Sequence, residues 1–81
     1  MNIPAAQFPA LKAREVLRLL QRVGYQIERQ KGSHRKLVAP DRLPIGFGFL
    51  GRADVPPHAL RHMLSERARL TDQEIADLPW K

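Results

Sequence analysis

The chain has 81 residues, no cysteine, and fourteen Lys and Arg against eight Asp and Glu, for a formal charge of +6. That length holds one domain with one modest core and argues against an enclosed multi-step cofactor cleft. Without cysteine there are neither disulfides nor thiolate metal sites. The basic balance favours a polyanionic partner, nucleic acid first and a charged membrane surface second. No apolar run approaches the roughly 18 residues of a spanning helix, and the N-terminus lacks the layout of a secretion signal, so a cytoplasmic protein without a membrane partner is expected.

Residues 1–8 show no sustained periodicity and read as a flexible arm before a single domain. Pro9 suits a helix's first turn. From Leu11 to Val23, the apolar Val16, Leu19, Leu20 and Val23 repeat at i, i+3, i+4 and i+7, which predicts an amphipathic helix stopped by Gly24. Arg14, Arg18 and Arg22 form a row on its outer side, either a solvated basic face or a track for a sugar–phosphate backbone.

After Gly24 the period becomes alternating. Tyr25, Ile27 and Arg29 are expected on one face of a half-buried strand, with Gln26, Glu28 and Gln30 on the other. Lys31-Gly32-Ser33 makes a turn into a second strand, His34 to Ala39, closed by Pro40-Asp41. The third strand, Leu43 to Phe49, places Ile45, Phe47 and Phe49 on one face and Gly46 and Gly48 on the other. Pro44 cannot donate to a ladder, so this strand is either an edge or begins just after it. Gly51 to Val55 reads as a polar connection. Pro57 opens a helix to about Ala68 with Leu60, Met63 and Leu64 buried, and Thr71-Asp72-Gln73-Glu74 is a capping box before a short last helix. The sum is an α+β fold, α-β-β-β-α, with a three-stranded antiparallel sheet packed on helices and a terminal helical turn.

Chemistry concentrates in Arg29-Gln30-Lys31-Gly32-Ser33-His34-Arg35-Lys36, which puts four cations, a glycine, a hydroxyl and an imidazole in eight positions. Lys31, Arg35 and Lys36 supply charge for a phosphate, Gly32 allows close backbone approach, Ser33 can donate a hydrogen bond, and His34 can exchange a proton near neutral pH. His58 and His62 stand four apart on a helix, a spacing that can share a metal, but position 59 is Ala and no carboxylate offers itself as a third ligand. No metal or cofactor is therefore implied. Trp80, after a proline at the chain end, is expected to fold back over the core.

The element order resembles the double-stranded-RNA-binding domain. The helix ending in Gly24-Tyr25, the run Gln30-Lys31-Gly32-Ser33-His34, the segment Ala59-Leu60-Arg61-His62-Met63-Leu64 and the later Leu70-Thr71-Asp72-Gln73-Glu74 resemble the HicA, or YcfA-like, toxins. The resemblance implies a small endoribonuclease that cleaves messenger RNA without metal and is neutralised by a HicB-like antitoxin, with His34 at the position of the catalytic histidine and Gly32 at that of the neighbouring glycine. Two positions depart from the family pattern. Leu37 stands where an aromatic residue is usual, and the region from Pro44 to Phe49 lacks the histidine of the family's Pro-x-His segment. The alternative of another class is a non-catalytic RNA-binding module that reads A-form shape through the first helix and the Lys31–Lys36 loop. A helix-turn-helix role for the Pro57 helix in DNA binding ranks third, because a sheet precedes it.

Overall fold

A computed structural model describes residues 8–80; the arm expected over residues 1–8 lies outside them except for Phe8. Along the chain run β1 (Leu11–Lys12), α1 (Ala13–Val23), β2 (Gln26–Lys31), β3 (His34–Val38), β4 (Ile45–Phe47), β5 (Asp54–Val55), α2 (Pro57–Arg61, continued by a π-helical segment His62–Arg67) and α3 (Asp72–Ala76). The expected α+β class and the antiparallel sheet are present, in the order β2-β3-β4. Val16, Leu19 and Leu20 of α1 join Leu37, Ile45 and Phe47 of the sheet and Leu60, Met63 and Leu64 of the second helix in one buried cluster. The sheet thus has a core face and an outer face.

Helix α1 starts two residues later than its apolar spacing suggests. Leu11 and Lys12 instead pair with Val55 and Asp54 as a two-stranded ribbon. The first free N–H groups of the helix are met from outside, Ala13 donating to the Ala53 carbonyl at 2.8 Å and Arg14 to that of Gly51 at 3.2 Å. The segment from Gly51 to Val55 is therefore no mere polar connection: it caps α1 and closes a small sheet. At the other end Gly24, at φ 113°, stops the helix in the left-handed conformation. Pro9 precedes the ribbon and not the helix. Phe8 is buried and meets Trp80 edge-on with ring centroids 5.8 Å apart, while the indole N–H donates to the Ile75 carbonyl at 3.0 Å. The chain end therefore folds back as expected.

The second helix keeps its apolar stripe of Leu60, Met63 and Leu64 but widens after Arg61. Its last turn is π-helical, and Ala68 N–H reaches five residues back to the Met63 carbonyl at 2.8 Å. Arg67 then donates to the Pro44 carbonyl through Nε at 2.9 Å and a terminal nitrogen at 2.7 Å, and Arg42 donates to the Ala68 carbonyl at 2.6 Å. These two cations clamp the 40–44 loop to the helix end. The capping box forms as expected: Glu74 N–H donates to the Thr71 hydroxyl, and the Thr71 N–H, bound to the Glu74 carboxylate at 2.8 Å, holds that carboxyl below the usual range.

Tyr25 shows how the loop is held from within. Its ring is buried and its hydroxyl donates to the Leu43 carbonyl at 2.8 Å. Burial pushes the phenol above its ordinary range, an effect the nearby Arg42 and Arg67 partly oppose. Tyr25→Phe leaves that carbonyl short of a donor and is expected to lower the unfolding free energy by about 1 kcal/mol in urea titration. An unchanged midpoint would show that the bond adds nothing.

Candidate active site

The β2–β3 hairpin closes through Gly32 and Ser33, with Lys31 paired to His34. Gly32 has φ 60°, and no positive φ occurs at Ser33, the pattern of a two-residue turn that needs glycine first. The turn thus contains two residues and not three, and it fixes which side chains face each other across the hairpin.

The pairing is not regular. Gln26 lies opposite Val38 and Ile27 opposite Leu37, but the next pairs are Arg29 with Lys36, Gln30 with Arg35 and Lys31 with His34. Glu28 is the extra residue of a β-bulge. Directly opposite residues share a face. Leu37 is buried, so Ile27 and Leu37 mark the core face, whereas Arg29, Lys31, His34 and Lys36 share the outer one. This corrects the simple alternation that placed Arg29 beside Ile27. Without the bulge, Arg29 and Lys31 would point away from the histidine. The half-buried reading of this strand is corrected too. Every residue of β2 is exposed, Ile27 at 41% included, because the hairpin extends past the core it is attached to.

β3 and β4 complete the floor. Lys36 lies opposite Gly46 and Arg35 opposite Phe47, which is buried. Gly46 and Gly48 therefore lie on the outer face with His34. The His34 ring lies against Gly48: a Cβ built on that glycine would stand 3.2 Å from both the Cε1 and Nδ1 atoms. A side chain at position 48 would push the ring aside, so the glycine creates the seat that the imidazole occupies. His34 itself is exposed. Around it, Arg29, Lys31, Lys36 and Gly46 line a shallow depression of about 240 Å³.

The expected phosphate ligands separate into groups. Lys31 and Lys36 converge on the histidine, and Arg29 joins them although only the bulge could reveal it. Lys36 is shared with Glu28 at 3.2 Å, both groups about half exposed, an ion pair that a phosphate displaces at little cost. Arg35 borders the depression, but its guanidinium donates to the Phe49 carbonyl at 3.2 Å and its register is that of the core face. It serves the hairpin's attachment to the chain after β4. Ser33 and Gly32 form the turn beside the depression. Arg14, Arg18 and Arg22 are exposed along α1 as expected, yet none of them lines it. Arg18 and Arg22 flank a separate cleft with Leu11, Glu15, Leu19 and Trp80. The row is not part of the histidine's surroundings.

His58 and His62 are exposed on the second helix and line a wider groove that also includes Gly46. Among the described residues no group of three or more His, Asp or Glu side chains is gathered as for a metal ion. No helix among them is long and apolar enough to cross a membrane.

An exposed imidazole seated on a glycine and ringed by cations can exchange a proton with a polyanion lying on the sheet. No curated protein and no solved structure matches the chain significantly. Residues 13–68, from the start of α1 to the residue after the π-helical segment, match the model of the family described as the HicA toxin of bacterial toxin-antitoxin. That span contains the whole three-stranded sheet, the Gly-Ser-His turn and the second helix, and covers well over half of the chain: the protein belongs to the HicA toxin family.

Proposed function

We propose that the protein is an endoribonuclease that cuts messenger RNA without a metal ion and is held inactive by a HicB-like antitoxin covering the outer face of the sheet. The observation that carries this reading is the exposed His34 ring on its Gly48 seat, with Arg29, Lys31 and Lys36 on the same face. Membership of a toxin-antitoxin family supports a protein partner, and the positive face supplies a reason for that partner to present acidic groups.

The chemistry follows from the groups in place. His34 takes the proton of a ribose 2′-hydroxyl, whose oxygen attacks the adjacent phosphorus. The P–O5′ bond breaks, the departing 5′-oxygen takes a proton from water, and the imidazolium returns its proton to solvent. The products are a 2′,3′-cyclic phosphate and a 5′-hydroxyl. Lys31, Lys36 and Arg29 offset the charge that builds on the phosphoryl oxygens. With one imidazole in the depression and two proton transfers to serve, turnover is slow.

The test is a labelled messenger RNA incubated with purified protein and excess chelator. Shortened products ending in cyclic phosphate are expected, and a single 2′-deoxy substitution at the cut position is expected to stop cleavage there, because the nucleophile is gone. RNA that is retarded in a gel but never shortened would overturn the nuclease reading and leave an RNA-binding module.

A further inference from the structure

Two depressions meet at one residue of the edge strand β4. Gly46 belongs to the depression around His34 and also to a groove of about 500 Å³ between β4 and the second helix, lined by Phe49, His58, Arg61 and His62 among others. The groove is in the size range of ligand sites. No Asp or Glu lines either hollow. Arg61 gives the groove a fixed positive charge, the two imidazoles give planar donors, and half-buried Phe49 offers an aromatic edge. Gly46 lies opposite Lys36 in the ladder, and a Cβ built on it meets nothing within 4 Å. The saddle between the two hollows is open because this strand position has no side chain.

We propose that the groove between β4 and the second helix is the second half of a single-stranded RNA track. The strand runs from the His34 depression over Gly46, and Arg61, with His58 and His62, holds the nucleotides flanking the scissile linkage. The proposal rests on the ribonuclease reading and deepens it by assigning the substrate a path. It also assigns a use to the helix-borne histidines other than metal binding. Phosphate on Arg61 positions the strand without reading sequence, so the gain is affinity and register on the histidine.

The experiment measures binding of a fluorescent single-stranded RNA of about twelve nucleotides as salt is varied, using the His34→Ala protein so that the RNA stays intact. Arg61→Ala is expected to weaken binding about tenfold and to lower the slope of log affinity against log salt by about one. Arg52→Ala removes the same charge from the loop that caps α1 and is expected to change affinity less than twofold. Gly46→Val removes no charge and fits the strand, but fills the saddle; it is expected to weaken binding about tenfold at unchanged salt slope. Equal effects of Arg61→Ala and Arg52→Ala, or normal binding by Gly46→Val, would overturn the track. Those results alongside authentic cleavage by the parent protein would leave the ribonuclease reading standing. Absence of both binding and cleavage by the parent protein would remove that reading and the track with it. RNA binding unaffected by Arg61→Ala, with antitoxin binding lost, would assign the groove to the protein partner instead.

Discussion

Replacing His34 by alanine is expected to lower the cleavage rate by about 10²- to 10⁴-fold, the usual contribution of a positioned general acid or base. RNA affinity is expected to stay within about twofold to threefold, because Arg29, Lys31 and Lys36 remain to meet the phosphates. The separation is the point of the experiment. A histidine that only binds would lose affinity and rate together, whereas one that moves a proton loses rate at saturating RNA. Because the ring is exposed, its removal is expected to leave the thermal midpoint unchanged, which separates a loss of rate from unfolding. Full activity in the alanine protein would exclude His34 from the chemistry.

Much of the frame that displays this ring is legible in the sequence, for physical reasons that differ by element. Val16, Leu19, Leu20 and Val23 reveal α1 because a helix must turn one stripe inward, and Thr71 with Glu74 reveals α3 because free N–H groups need acceptors. Pro44 limits the third strand because it cannot donate to a ladder: β4 begins just after it, at Ile45, and stands at the end of β2-β3-β4. The ribbon of Leu11–Lys12 with Asp54–Val55 is too short to generate a period, so its sign is only in the tertiary pairing. The π-helical widening after Arg61 is equally silent in the pattern of Leu60, Met63 and Leu64.

The site was less legible than the frame because charge alone does not say what a cation is for. Of the Lys and Arg residues, Arg35, Arg42 and Arg67 are committed to main-chain carbonyls, and Lys12 pairs with Asp54 at 2.6 Å. The helix row of Arg14, Arg18 and Arg22 has the spacing of a phosphate track but is absent from the histidine's depression. The decisive device is the bulge at Glu28. Alternation counted from Tyr25 sends Arg29 to the core side, and one extra residue returns it, with Lys31, to the face of His34 and Lys36. A single residue of register therefore determines whether the histidine has two more cations beside it.

Gly48 tests the same geometry from below the ring, and its alteration is expected to have the second-largest effect on catalysis. In Gly48→Ala the new methyl group stands 3.2 Å from Cε1 and Nδ1 of His34, closer than ordinary contact, so the exposed ring must tilt or lift by some tenths of an ångström. Misplacement of a reacting group by about 1 Å can cost on the order of 10²-fold. For the smaller shift a fall in kcat of about tenfold is expected, with KM nearly unchanged because no cation is lost. Backbone strain does not contribute, since Gly48 has no positive φ. Gly51→Ala serves as the comparison, a position where a Cβ meets nothing within 4 Å, and is expected to leave kcat as it was. The readout that a merely structural glycine would not move is the Cε1–H resonance of His34, which is expected to shift in Gly48→Ala while the thermal midpoint stays put. A displaced resonance with normal kcat would mean that the ring's seat is irrelevant to turnover; a lowered midpoint with an unmoved resonance would make Gly48 a packing residue only.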